Sequence, residues 1–242
     1  MIAISLGEYD EARDFARRSL VLFEEFDYSS GIAMALNLLG IADRDQGNYL
    51  EAEARHRQAW QYCQKRDYPF GLALATYYLG HTNYLLGKYE EAKRHLSESL
   101  TLARSLDYKR GISRALNVLG KVARAQSDYG QAGRYLSQAL QLSQLIRAIP
   151  ISLDILVEYA ILLGNQDQPE QALELLAFCQ THSATEHATK ETAAALFGKL
   201  SEKFSSQVVA YVRSQVKELN LNDLVGNLLA GAKSERLALE MN

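Results

Sequence analysis

The sequence predicts an all-α protein built from stacked helix hairpins. Three observations carry that expectation. Only three prolines occur in 242 residues, so long uninterrupted helices are favoured over a turn-rich sandwich. Apolar residues recur with helical spacing along most of the chain. Above all, the chain repeats itself with a fixed step: Tyr9, Tyr49, Tyr89 and Tyr129 are in phase, and so are Ala12, Ala52, Ala92, Ala132 and Ala172. Gly31, Gly71 and Gly111 keep the same step, as do Gly40, Gly80 and Gly120, and Asp27, Asp67 and Asp107.

Within one unit, two apolar-periodic segments flank a short polar turn such as Gly47-Asn48 or Gly87-Lys88, which reads as an antiparallel pair, helix A followed by helix B. Asp27, Asp67 and Asp107 stand where the next helix A needs an N-cap, and Asn48 and Asp128 are placed to cap helix B. Gly40, Gly80 and Gly120 are expected to face Ala52, Ala92 and Ala132, small against small, where two backbones approach. Leu36, Leu39, Leu116 and Leu119 on A, with Leu20, Trp60, Leu100 and Leu140 on B, fill the space between, each contributing roughly 1.5–3 kcal/mol when fully buried. The expected organisation is a partial first repeat over 1–26, repeats over 27–66, 67–106 and 107–146, a worn fifth repeat over 147–181, and a helical cap and tail over 182–242.

The L-G of helix A followed by an alanine twelve positions after the glycine, as in Leu39-Gly40 with Ala52 and Leu79-Gly80 with Ala92, resembles the tetratricopeptide repeat, whose usual period is shorter. The extra length is expected in helix B and its exit. The resemblance implies a right-handed α-solenoid whose A helices line a concave ligand groove. Forty-residue units with A-L-N-x-L-G, as at Ala35–Gly40 and Ala115–Gly120, resemble the sensor arrays of bacterial STAND-type (NACHT or NB-ARC) ATPase regulators, and also long tetratricopeptide adaptors. The tail, with His182-Ser183-Ala184-Thr185 before a long helix, is similar to the closing segment of such regulators. That resemblance implies an upstream ATPase or effector domain in the same polypeptide.

The two ends differ. By phase, Met1–Leu6 supply only the last turn of a first helix A, so helix B1 over 8–26 loses its partner and Leu20, Leu22, Phe23 and Phe26 are left partly uncovered, the mark of an interface. Three readings stay open: a fragment, a face covered by another chain through self-association, or a natural start with a frayed edge. At the other end, helices are expected over 187–203 and 205–219, then a short one from Leu221-Asn222-Asp223-Leu224 to Gly231. Leu196, Leu200, Phe204, Val208 and Tyr211 would cover the last repeat.

Several function classes drop out. A net charge of −3 offers no broad positive field for nucleic acid. Asp154 and Glu158 interrupt the most apolar stretch, 149–163, so no segment spans a bilayer, and residues 1–20 lack a signal-peptide pattern. Cys63 and Cys179 lie far apart, which indicates neither a disulfide framework nor zinc and fits a reducing cytoplasm. Cys63 fills a helix B slot held elsewhere by Ala103 and Ser143, as a small packing residue. No phosphate-binding glycine loop, H-E-x-x-H or G-x-S-x-G occurs, so neither catalysis nor a cofactor or metal is expected. The one cluster of catalytic residue types, His182, Glu186 and His187, reads as a polar cap loop.

What remains is recognition. Leu74, Tyr77, His81 and Tyr84 lie on one face of a helix A, and Arg114, Asn117, Lys121 and Arg124 hold the equivalent places one unit on, an aromatic stripe beside a basic one. Met34, Asn37, Ile41 and Arg44 occupy those places one unit earlier. Asn37, Arg44, Tyr77, His81, Tyr84, Asn117, Lys121 and Arg124 are therefore the candidate ligand residues, suited to a protein or peptide offering carboxylates and an apolar anchor. Tyr77 and Tyr84 admit a core role equally well. Asp154 is the natural partner of Arg114, whereas Lys121 and Arg124 fall opposite Ile161 and Gly164 and are the stronger candidates. The expected function is the ligand-sensing scaffold of a larger bacterial signalling or transcription regulator, with a free-standing adaptor as the alternative.

Overall fold

The structure, a computed structural model, describes residues 8–240, with side chains as far as Ala230. All of its regular structure is helical. The helices are α1 (Tyr9–Glu25), α2 (Ser29–Asp45), α3 (Tyr49–Lys65), α4 (Pro69–Leu85), α5 (Tyr89–Ser105), α6 (Lys109–Ala125), α7 (Tyr129–Leu145), α8 (Ile149–Asn165), α9 (Pro169–Thr181), α10 (His187–Ser201), α11 (Ser206–Gln215) and α12 (Leu221–Glu240). The residues expected to end a first helix A, Met1–Leu6, lie outside the described part.

Helices α1 to α8 are each 17 residues long. Helix A and helix B are thus equal over these eight, and the lengthening expected in helix B and its exit is shared with helix A. The backbone repeats at half the period of the side chains. Its marker is a residue with positive φ just past each helix: Asp27, Gly47, Asp67, Gly87, Asp107, Ser127, Arg147 and Asp167.

These residues end the helices by one mechanism. After α3, the Tyr68 N–H reaches back to the Cys63 carbonyl at 3.0 Å, and after α5 the Tyr108 N–H reaches Ala103 at 2.8 Å. After α2 and α4, the N–H groups of Asn48 and Lys88 do the same to Asp43 and Asn83, each at 2.9 Å. This six-to-one bond around a left-handed residue is the Schellman stop, which satisfies carbonyls the helix leaves over. The aspartates expected as N-caps of helix A are therefore C-terminal stops of helix B. The N-cap positions belong to Tyr28, Tyr68 and Tyr108, and no side chain caps there. Asp128 does cap α7, accepting the Gln131 N–H at 2.9 Å, whereas Asn48 makes no cap bond.

The D-Y-x-x-G signature follows. Asp takes the left-handed turn, and the tyrosine ring then folds over the glycine three residues on, where a Cβ on Gly71 or Gly111 would run into Tyr68 or Tyr108. The L-G glycine has a different neighbour from the one expected. A Cβ on Gly80 would lie 2.7 Å from Leu96 Cγ, and one on Gly40 would strike the His56 imidazole. Ala52 and Ala92 are buried, but the nearest atoms to these glycines sit one helical turn further along helix B.

The chain divides into two compact units, Met1–Gln126 and Ser127–Asn242, the boundary falling in the turn between α6 and α7 inside the repeat expected over 107–146. In the first unit each helix packs on the next, and the A helices α2, α4 and α6 also pack successively on one another. That is the side-by-side stacking expected of repeated hairpins. Leu36, Leu39, Leu100, Leu116 and Leu119 are buried as predicted, and Leu20, Phe23 and Trp60 pack against Ile32, Leu36, Ala59 and Ala75.

In the second unit α7, α8 and α9 continue the alternation, with Leu136, Leu140, Leu153, Leu156, Leu173 and Leu176 in the core. The cap adds to it: α10 packs on α8 and α9, α11 on α9, and α12 returns to α7. The residues that seat this cap differ from those expected. Ala193, Phe197, Val216, Leu224 and Val225 are buried, while Val208 and Tyr211 are exposed and Leu196, Leu200 and Phe204 half-buried. The chain breaks over 202–205, close to the boundary expected there, and restarts with Ser205 accepting the Val208 N–H, and the inward phase of 196, 200 and 204 does not carry on to 208 and 211. The last helix is capped by Asn220, which accepts the Asp223 N–H at 3.0 Å, and it runs through Gly231 to Glu240.

Candidate functional site

The A helices of the first unit present equivalent positions one repeat apart, and these form rows. One holds Asn37, Tyr77 and Asn117, the next Ile41, His81 and Lys121, and the last Arg44, Tyr84 and Arg124. Because α2, α4 and α6 are neighbours, residues distant in sequence become adjacent across each row.

The last two rows form a continuous polar and aromatic strip. On α2, the Arg44 guanidinium donates to Asp45 at 2.7 Å through Nε, and its Nη1 donates to His81 Nδ1 on α4 at 3.1 Å. Arginine has no acceptor, so His81 Nδ1 carries no proton and the neutral ring bears it on Nε2. The His81 ring lies 6.0 Å from Tyr77 and 6.5 Å from Tyr84. From α6, Arg124 Nη2 donates to the Tyr84 hydroxyl at 3.3 Å. The order across three helices is thus Arg44, His81, Tyr84, Arg124.

Burial, with Arg44, Lys121, His56 and Arg114 nearby, holds the His81 pKa well below the usual imidazole range, since both effects disfavour the charged ring. Burial also acts to lower the Arg44 pKa, but the Asp45 carboxylate and the Tyr77 hydroxyl outweigh it and leave that group above its ordinary value.

The candidate residues separate by depth. Arg44, His81, Tyr84 and Arg124 are half-buried, with one side toward solvent. Tyr77 is largely buried, its ring edge-on to Tyr78 at 5.0 Å. Lys121 is also largely buried. Asn117 is buried, and Asn37 turns inward, its Oδ1 3.2 Å from His56 Nδ1 on α3. Met34 is exposed on the same helix A, in register with the half-buried Leu74 and Arg114.

Two participants escaped sequence reasoning. Asp45, next to Arg44, supplies its carboxylate partner, a signal present in the Arg44-Asp45 dipeptide. His56 lies beneath the strip, stacked on Tyr78 with ring centroids 5.1 Å apart, and only its departure from the leucines at 96, 136 and 176 marks it in the sequence. In the second unit, His182 Nδ1 accepts the Ala184 N–H and His187 pairs with Glu191 at 3.2 Å. The first contact lies in the loop between α9 and α10, and the second within the first turns of α10. Among the described residues no cluster of His, Cys, Asp and Glu is arranged to hold a metal ion, and no helix is long and apolar enough to cross a membrane.

Residues 1–65 and 72–144 match the family model described as tetratricopeptide repeat. No curated protein matches the sequence. Among solved structures, the chain is similar to BtubC (BKLC) from P. vanneervenii, with 14% identity, a TM-score of 0.61, and coverage of 96% of this chain and 92% of that one. It is also similar to the apo form of RapI, with 16% identity, a TM-score of 0.61, and coverage of 97% and 79%. At these identities the likeness is one of fold, a helical-repeat array.

Proposed function

The chain belongs to the tetratricopeptide-repeat family, and on that premise we propose that it is a protein- or peptide-binding module whose contact surface is the A-helix face of its first unit. The observation that carries this reading is the strip Arg44, His81, Tyr84 and Arg124. Packing between neighbouring helices is served by aliphatic residues, yet here Arg44, Tyr84 and Arg124 share one row and His81 of the adjoining row lies among them, all four incompletely buried. Rigid aromatics beside guanidinium groups are the residue types that dominate protein interfaces. Such a surface suits a segment with carboxylates and an apolar anchor, the acidic groups meeting Arg124 and the anchor lying on Tyr84. Tyr77, Asn37 and Asn117 support this face from beneath.

The mechanism is recognition, with no bond made or broken. Coupling to an output would require the ligand to favour one arrangement of the array and its attached domain over another. Two contexts accommodate the module. A sensor array within a larger STAND-type regulator is what the A-L-N-x-L-G units and the H-x-A-T stretch support. A free-standing adaptor is the other, and the helical-repeat fold shared with RapI and BtubC accommodates it.

The test is a binding selection with a displayed library of acidic and aromatic peptides, followed by titration of the selected peptides against His81→Ala, Tyr84→Ala and Arg124→Glu. Loss of about tenfold or more in affinity with unchanged thermal unfolding is the expected result. Equal affinity in all three variants would remove the A-helix face as the contact surface.

A further inference from the structure

Helix α1 carries a second surface, separate from the A-helix strip. Its inner side is used: Ala12 and Ala16 are buried, and Leu20 and Phe23 join the core beside α2. About a quarter turn away runs an apolar stripe facing solvent, with Phe15 55% exposed, Leu22 53% and Phe26 76%. In α5 the equivalent of Phe15 is His95, buried and bonded at 3.1 Å to Asn83 of α4, the helix A of the same hairpin, while the other equivalents, Arg55 and Tyr135, are half-buried. On this side a B helix meets its own helix A, and on α1 Phe15, Leu22 and Phe26 stand exposed there.

We propose that this face takes a second copy of the chain, α1 against α1, antiparallel about a two-fold axis near Leu20. Charge selects the occupant and its direction. Along α1, the exposed Arg18 flanks the stripe before its middle and the exposed Glu25 flanks it afterwards on the same side, while Asp10, Glu11 and Asp14 stand exposed in the first two turns. Antiparallel pairing sets Phe15 against the partner's Phe26, Arg18 against the partner's Leu22, and places Arg18 within one turn of the partner's Glu25. Parallel pairing would set Arg18 on Arg18 and Glu25 on Glu25. Because the contact is isologous, each unlike-charge pair occurs twice. Arg18 already has an exposed partner in Asp14 at 3.7 Å, a weak contact of the kind easily exchanged at a surface.

The size of the stripe sets the strength. Two Phe rings and a leucine, at roughly 150–250 Å² per large side chain and about half to three-quarters exposed, offer on the order of 350 Å² of apolar surface per copy. Doubled across the two copies this is about 700 Å² plus a charged rim, below the about 1,200 Å² of stable interfaces and in the range of weak, transient ones. A dimer dissociating in the micromolar range is expected, visible at tens of micromolar and lost on dilution.

Sedimentation equilibrium of the full chain from ~1 to ~200 μM tests this. Wild-type protein should pass from monomer to dimer across that range, and Phe26→Glu should stay monomeric with unchanged thermal unfolding. Arg18→Glu and Glu25→Arg should each weaken the dimer by about fivefold or more. The double variant, in which the charges are exchanged, should return to within about twofold of wild type. A chain monomeric at ~200 μM would overturn the proposal and assign the stripe to a different partner. A dimer that Phe26→Glu leaves intact, or a double variant no better than the two losses combined, would overturn it equally.

Discussion

Replacing His56 with leucine should remove a defined part of the protein's acid sensitivity. The imidazole is fully buried between Gly40 and Tyr78. One ring nitrogen faces Asn37 at 3.2 Å, and the other, Nε2, is buried with no hydrogen-bond partner. Burial, with Arg44 adding to it, pushes the pKa down to about 3. A folded-state pKa below that of the unfolded chain means that the unfolded state takes up the proton first. The penalty on folding is absent above pH ~6.5, the ordinary imidazole value, grows as pH falls below it, and levels off near the folded pKa. At pH 5 the gap is about 1.5 pKa units, so at roughly 1.4 kcal/mol per unit one such histidine costs about 2 kcal/mol.

The repeat supplies the control substitution, because the equivalent positions 96, 136 and 176 are leucines, all fully buried or nearly so. Leucine should therefore fit against Gly40 as Leu96 fits against Gly80. Urea unfolding of wild type and His56→Leu at pH 7.5 and 5.0, followed by circular dichroism, isolates the effect as a difference of differences. Wild type should lose about 2 kcal/mol more than the variant between the two pH values. At pH 7.5 the two should lie within about 1 kcal/mol, since leaving Asn37 without its partner offsets the gain from removing an orphaned nitrogen. Parallel losses would show that His56 is either protonated in the folded state or reachable by water, and the burial argument would fail.

His95 is also lowered by burial and by Arg94, to about 4, so His95→Leu should reduce the same acid loss by about a further 2 kcal/mol, read in the same urea titrations. Gly80→Ala should cost about 1–3 kcal/mol in chemical unfolding, because its Cβ would sit 2.7 Å from Leu96 Cγ and 3.1 Å from the Leu96 backbone nitrogen, which cannot retreat. Asp67→Gly should be neutral or stabilising by up to about 1 kcal/mol, since Asp67 holds φ at 49° where glycine is unstrained, and a clear loss in the melting midpoint would refute the Schellman assignment. Burial raises the thiols of Cys63 and Cys179 to about 11 and 12, so both should resist a thiol reagent in native protein at pH 8 and react at once in urea.

Much of the architecture was legible before any coordinates. The regular recurrence of Gly40, Gly80 and Gly120 identified hairpins packed closely enough to exclude a Cβ, because only a repeated steric demand keeps glycine in helix interiors. What the recurrence concealed was the backbone period, half as long. A left-handed residue ends each of α1 to α8, but glycine holds that place in the A-to-B turns at 47 and 87, and aspartate holds it between repeats at 27, 67 and 107. Both residues tolerate positive φ, and aspartate is also among the commonest N-caps, so its letter alone does not distinguish the two ends of a turn. In the cap, Phe197 and Tyr211 are equally apolar in sequence, and only the packing of α10 and α11 on α8 and α9 decides which of them faces inward.

The candidate strip shows the same division. Spacing placed Arg44, Tyr84 and Arg124 in one register, since a strict repeat carries helical phase from unit to unit. Depth and pairing came from the packing of α2, α4 and α6. That packing turned Asn37 toward His56, supplied Asp45 to Arg44, and gave His81 a guanidinium on the nitrogen that must then carry no proton. A repeated sequence determines which residues share a row because phase is a local property of the helix. Burial, charge state and hydrogen-bond partners depend instead on neighbours a full repeat away along the chain, which only the assembled hairpins bring within reach.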